Sequence, residues 1–384
     1  MRFIFDQIWI EKSVAYEPLT CHVIENRPAI PYQIISQEDI ESLVENVTLT
    51  EAKRILLITH QKGGWVKPCP ATNSPYLCCR YTIINHASQC PMDCTYCILQ
   101  DYLEQPLMTL FANQEDAFKE IDNLLAKDQD RFFRFGTGEL TDSLALDPFT
   151  ELSRDFIQFF SEKKNCLLEL KTKTDQVENV FEERANNVVV SWSVNPQPIV
   201  TKEEKSSVSL KRRLEAAKRC QDQGYMVGFH FDPVLYVENW EKLYKNTVDD
   251  IFSKINPQRV AWISLGALRF PPNLKNVIKK RFPSSKIVYE EMIRGLDGKM
   301  RYPRPLRTEM FQKVYQRIRK HSKDVFVYFC MEPSWVWEKV MGHTPQSNAD
   351  LDFQFAESLY HRFPELDMKK PERKFYKDCP KSLI

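Results

Sequence analysis

The chain has 384 residues, 43% of them hydrophobic, which allows one large α/β domain with additions or two ordinary domains and excludes a chain too polar to build a core. Lys plus Arg number 53 against 52 Asp plus Glu, which excludes an overall polyanion-binding surface and restricts any nucleic-acid contact to a local patch. Eleven cysteines, an odd number, and the lack of a secretory pattern at Met1 argue against a disulfide framework and for a reducing cytoplasm, and no apolar run approaches the roughly eighteen residues of a membrane span.

In chain order, residues 1–78 read as a smaller leading α/β region. Residues 3–11 predict a strand, Ser36-Gln-Glu-Asp39 opens a helix with a capping-box pattern, and residues 54–59 predict a buried strand. The Gly-, Pro- and Asn-rich run 61–75 predicts a loop. Over 79–285, strand-like runs at 81–85, 132–136, 166–171, 188–194, 226–231 and 260–265 alternate with helical patterns at 114–127, 149–164, 176–185, 209–223, 240–255 and 274–281. That alternation predicts a parallel sheet, and six units are too few for a closed eight-stranded barrel. The segment 286–384 holds a hairpin with a type I′ turn at Asp297-Gly298, a basic helix over 308–320, a strand over 325–329 and a Trp-containing helix near 334–340.

The most restrictive motif is Cys90-Pro-Met-Asp-Cys94-Thr-Tyr-Cys97, just after the strand at 81–85. Three thiolates in eight residues converge on one soft metal centre, and three leave one metal position for a ligand that is not protein. A zinc knuckle completed by Cys69, Cys78 or Cys79 is the alternative, as is a reduced thiol cluster without metal.

The loop resembles the cluster-binding signature of radical S-adenosylmethionine enzymes. Within that superfamily the chain is similar to the spore photoproduct lyase family, through Ile8-Trp-Ile-Glu-Lys12, Cys94-Thr-Tyr-Cys-Ile-Leu-Gln100, Ser191-Trp-Ser193 and Cys330-Met-Glu-Pro-Ser-Trp-Val-Trp337. The resemblance implies an α/β fold: a partial (β/α)6 radical S-adenosylmethionine barrel with an N-terminal α/β extension and a C-terminal β-hairpin and helices. It also implies a [4Fe-4S] cluster on Cys90, Cys94 and Cys97, and S-adenosyl-L-methionine as cosubstrate.

Gly136 and Gly138 end the second strand, where the missing Cβ lets backbone approach a ligand, and Glu139 beside them can accept from an ammonium group. The turn resembles the region that binds the methionyl amino group in the superfamily. Lys173 and Ser193 end the next two strands and match family positions for the cosubstrate carboxylate, Lys171 being interchangeable with its neighbour, and Asn195 is a further candidate. His230, between Phe229 and Phe231, reads as a packed core residue, and Asp232 as lining a strand end. In the hairpin, Lys299, Arg301 and Tyr302 combine phosphate-neutralising cations with an aromatic wedge. The resemblance makes them contacts to UV-damaged DNA carrying a thymine lesion.

Two departures from the family stand out. No cysteine follows the Gly-Glu turn, which reads Glu139-Leu-Thr-Asp-Ser143, and Ile98 replaces one of two tyrosines flanking the third cluster cysteine. Tyr96, the matching tyrosine, or a thiol brought from elsewhere is left to return hydrogen to the product. The expected activity is a carbon–carbon lyase repairing spore photoproduct, served by an electron donor such as flavodoxin or ferredoxin. A radical enzyme on another nucleic-acid or nucleotide substrate, or a non-enzymatic zinc or iron–sulfur DNA-binding module, are the alternatives.

Overall fold

The computed structural model describes residues 5–45, 47–73, 75–103 and 105–377. Residues 3 and 4 of the strand expected at 3–11 lie outside them; the remainder contains the strand Gln7–Glu11.

Apolar runs rich in Val, Leu, Ile and Phe assemble into one curled sheet. Its order is Phe326–Phe329, Val260–Ala267, Met226–Val234, Val188–Ser193, Cys166–Thr172, Phe133–Gly136 and Thr82–Ile84, all parallel, with Val66–Pro68 antiparallel at the edge. Every residue of Val188–Ser193 and Val260–Ala267 is buried, as a parallel sheet covered on both faces requires. Helices such as Gln114–Lys127, Leu210–Asp222 and Trp240–Lys254 each bury one stripe against it. The order ends at different strands on its two sides, so the barrel is partial, and Phe326–Phe329 adds a seventh parallel strand to the six expected in the central region.

The leading region builds a second sheet in the order Tyr32–Ile35, Gln7–Glu11, Ile55–Thr59, Met108–Phe111 and Ala87–Ser88. The capping box at Ser36 is present, with Asp39 N donating to Ser36 Oγ at 3.2 Å and Ser36 N donating to Asp39 Oδ2 at 3.3 Å.

Several local expectations need correction. The loop expected at 61–75 contains the edge strand Val66–Pro68. The helix expected at 176–185 is only the short turn Asn179–Phe181. There, Tyr225 Oη donates to the carbonyls of Val180 and Glu183, and Asn179 Nδ2 donates to the Asp147 carbonyl at 3.0 Å, bonds that compete with a continuous helix. The helix expected at 149–164 breaks at Glu151, where φ is 53°, into Asp147–Thr150 and Leu152–Ser161. The hairpin turn is not type I′: only Gly298 has positive φ, and Gly298 N donates to Gly295 O at 3.0 Å, so Leu296 and Asp297 occupy the turn's centre. Helices Pro18–Asn26 and Asn348–Arg362 were not anticipated from the sequence. Among the described residues no helix is long and apolar enough to cross a membrane.

Candidate active site

The cysteine loop leaves the C-terminal end of Thr82–Ile84 and is held from three directions. Lys53 Nζ donates to the carbonyls of Cys90 at 2.7 Å and Met92 at 2.5 Å. Asp93–Cys94 pairs antiparallel with Glu204–Lys205. Gln100 Nε2 lies 3.1 to 3.2 Å from the carbonyls of Cys94, Thr95 and Cys97. The three thiols therefore sit on a fixed backbone.

Behind the loop lies a buried charge centre at Glu204. Arg213 pairs with it at 2.6 Å, Asn195 Nδ2 donates to it at 2.9 Å, and Tyr96 Oη donates to the same carboxylate. Burial pushes the Glu204 carboxyl up, but Arg213 and then Lys173 overcome this and hold it at about 2. Tyr244 Oη donates to Asn195 Oδ1 at 2.7 Å. Both ends of the Asn195 amide are thus used inside the protein, an arrangement that orients Tyr96 and the loop.

Beside the loop a cavity of about 290 Å³ opens at the C-terminal ends of the strands. Among the sequence candidates that line it are Tyr96, Cys97, Glu139 and Lys299, whereas Cys90, Cys94, Lys173, Ser193 and Asn195 do not. A Cβ on Gly136 would stand 1.6 Å from Tyr81 Oη, and one on Gly138 would stand 2.8 Å from Lys171 Cβ. These glycines admit protein side chains into the site. Tyr81 Oη, which also faces the cavity, is buried with no hydrogen-bond partner among the described residues, a donor suited to a bound polar group.

The two lysines part company. Lys171 lines the cavity with its Nζ 3.6 Å from Glu139 Oε2. Lys173 instead lies over the Tyr96 ring at 5.9 Å, on the cysteine-loop side; burial opposes its charge, but Cys94 and Glu204 raise its pKa. Ser193 is buried at the adjacent strand end.

The cavity floor is polar. Glu169 accepts from Ser191 Oγ at 2.7 Å and faces His230 Nε2 at 2.6 Å, while His230 Nδ1 lies 2.7 Å from Ser264 Oγ. Despite burial, His230 and Lys171 draw the Glu169 carboxyl down to about 2. Arg269 forks onto Asp232 at 2.9 and 3.0 Å, and its Nη2 also donates to Cys330 Sγ at 3.1 Å. His230 is therefore a polar cavity wall as well as a strand residue; Asp232 lines the strand end as expected, whereas Arg269 went unread and Cys330 was read only as part of a motif, not as a site residue.

The hairpin requires another correction. Arg301 and Tyr302 are only 1% and 0% exposed. Arg301 Nη2 donates to Asp297 at 2.6 Å and its Nη1 to the Met331 carbonyl at 3.1 Å, while Tyr302 Oη accepts from Tyr236 N at 3.2 Å. Both are committed to packing, so neither is a free surface contact. The hairpin's outward apolar side chains are Leu296, 82% exposed, and Ile293, 49% exposed.

The donor set suits a soft metal cluster. Cys94 is buried and Cys90 and Cys97 partly so. Removal from water pushes Cys90 up to about 12, and the three thiols act electrostatically on one another, Cys97 on Cys90 and both on Cys94. A metal replacing their protons relieves that penalty. Among the described residues no three such side chains are already closed around a common point.

The family model described as spore photoproduct lyase matches residues 51–328. Spore photoproduct lyase from Bacillus subtilis (strain 168) is 26% identical over 213 residues, covering 54% of this chain and 62% of that protein. The enzyme of that name from Geobacillus sp. (strain Y412MC61) is 24% identical over 209 residues, covering 53% and 61%. The chain thus spans about three fifths of the length of these relatives. The solved structure of a spore photoproduct lyase mutant with bound AdoMet and dinucleoside spore photoproduct superposes with a TM-score of 0.77 at 20% identity, over 86% of this chain and 100% of that one. A spore photoproduct lyase complexed with the dinucleoside lesion gives 0.76, with the same identity and coverage. These likenesses establish the partial-barrel fold, and the family match over most of the chain establishes descent: the chain belongs to the spore photoproduct lyase family.

Proposed function

We propose that this protein is a radical S-adenosylmethionine lyase that converts spore photoproduct in DNA back to two thymines. The observation that carries the reading is the fixed loop of Cys90, Cys94 and Cys97, whose last cysteine lines a cavity with a polar floor in an open barrel, in a chain of this family. When bound, the cluster and S-adenosylmethionine supply a 5′-deoxyadenosyl radical that takes hydrogen from the lesion. The chain's own part is to bind, orient and shield. Lys173 and Ser193 stand on the loop side to receive the cosubstrate carboxylate, and Glu139 its amino group. Glu169, His230 and Asp232 offer polar contacts for an extruded base.

The hairpin serves as the DNA contact through Lys299 and the exposed tip at Leu296, with Arg301 and Tyr302 as its internal brace. The divisions 1–78, 79–285 and 286–384 are then loop support, chemistry and DNA contact. A cytoplasmic setting and an electron donor of the flavodoxin or ferredoxin class belong to the same reading. Anaerobic reconstitution with an oligonucleotide carrying one spore photoproduct tests it, by mass spectrometry of restored thymine and 5′-deoxyadenosine. Deoxyadenosine without thymine would redirect the protein to another nucleic-acid substrate, a reading favoured by the absence of a thiol from Leu140 to Ser143.

A further inference from the structure

Breaking the methylene bridge leaves a carbon radical on a thymine, and a radical held away from solvent takes hydrogen from the best donor within reach. Such a radical arises only in a repair lyase, so the identity of its hydrogen donor rests on the proposed function. Sulfur–hydrogen bonds are weaker than the O–H bond of tyrosine, and the thiols that face the cavity are therefore the first candidates. They are Cys69, Cys79, Cys97 and Cys330.

Three of them are otherwise engaged. Cys97 belongs to the cluster loop. Cys79 receives a hydrogen bond from Cys78, the largest influence on it, and with Arg134 nearby its pKa falls below the usual thiol range despite burial, so its hydrogen is readily lost as a proton. Cys69 is tied by a side-chain hydrogen bond to Cys78. Cys330 differs in each respect. Its backbone is fixed by Cys330 N donating to Leu265 O at 2.9 Å, at the end of Phe326–Phe329. Arg269 Nη2 donates to its sulfur at 3.1 Å, which occupies a lone pair and leaves the S–H free to turn toward the cavity. Burial raises its pKa well above the usual thiol range, so the hydrogen stays on sulfur at neutral pH.

We propose that Cys330 is the hydrogen-atom donor that completes repair. Its S–H bond breaks homolytically, a C–H bond forms on the thymine methyl, and the unpaired electron remains on the Cys330 sulfur. One electron from an external low-potential reductant and one proton from water restore the thiol.

The test combines isotope and labelling readouts. In D2O, wild-type protein should place one solvent-derived deuterium in each restored thymine pair. Cys330→Ala and Cys330→Ser should both lower thymine restored per 5′-deoxyadenosine formed by about tenfold or more. Independently of turnover, dinucleoside spore photoproduct should protect Cys330 of the wild-type protein from alkylation by iodoacetamide, read by peptide mass spectrometry. An unchanged thymine-to-deoxyadenosine ratio in C330A, or alkylation of Cys330 at the same rate with the lesion present, would overturn the assignment and leave the repair reading standing. A wild-type protein that forms deoxyadenosine but no thymine overturns the repair reading, and the donor role with it.

Discussion

Lys53 reaches from the turn before the strand Ile55–Thr59 to the cysteine loop, its ammonium donating to the Cys90 carbonyl at 2.7 Å. The side chain is 15% exposed and also lies 3.8 Å from Asp93. This contact fixes the backbone of the first of the three loop cysteines through its carbonyl rather than its sulfur. Lys53→Met should therefore speed loss of iron to a chelator by about tenfold, the scale of other supporting contacts around metal ligands. Iron release followed by absorbance after reconstitution checks it, and a wild-type rate would remove Lys53 from that role.

Glu204 and Arg213 form a pair with no exposed side-chain surface. Glu204→Gln leaves the guanidinium buried against a neutral amide, and should destabilise the fold by about 3–5 kcal/mol in denaturant titration. The double variant with Arg213→Met should recover part of that loss. If the single change costs nothing, the pair is not what anchors the loop.

The separation of Lys173 from Lys171 gives a binding prediction. Lys173→Ala should weaken S-adenosylmethionine binding by about tenfold or more, as loss of a charge-assisted hydrogen bond does. Lys171→Ala should have a smaller effect, because its ammonium already faces Glu139. Calorimetry on reconstituted protein distinguishes them, and equal losses would mean the lysines share the carboxylate.

Leu296 crowns the hairpin. Leu296→Asp should reduce affinity for lesion-bearing duplex by about tenfold while changing affinity for a lesion-bearing dinucleotide little, since a wedge acts only where bases are stacked. Fluorescence anisotropy with both ligands reads the difference. Parallel losses would place Leu296 in general packing.

His86 is 5% exposed, and burial pushes its pKa down to about 4, opposed by a backbone bond to Ile84. An unfolded histidine titrates near 6.5, so below that pH the unfolded chain takes up a proton the folded chain refuses. Stability is present in full above about 6.5 and falls as pH drops toward 4, by about 3 kcal/mol over the whole window. His86→Phe should flatten melting temperature against pH over that range; an unaltered slope would assign the loss to other groups.

The cysteine loop and the sheet strands were legible because their signals are local. Spacing within eight residues marks the loop, and continuous apolar runs mark buried parallel strands. Asp232 was legible as lining a strand end, but its grouping with Arg269 and Cys330 on the cavity floor was not, because the three meet only through sheet order, Arg269 lying 37 residues from one partner and 61 from the other. The hairpin misled for a different reason. Its basic and aromatic composition suggests a surface, but Asp297 and Glu332 supply the counter-charges that let Arg301 go inside.

The way strands are shared has a consequence for modularity. The leading sheet is completed by Met108–Phe111 and Ala87–Ser88, which flank the cysteine loop in the chain. A truncation at residue 78 would strip Ile55–Thr59 from Met108–Phe111 and expose that buried strand as an open, apolar edge prone to aggregation. It would also remove Lys53 from the loop. The first 78 residues are thus no detachable appendage: shortened versions of this protein that keep the barrel alone should be insoluble, whatever they retain of the chemistry.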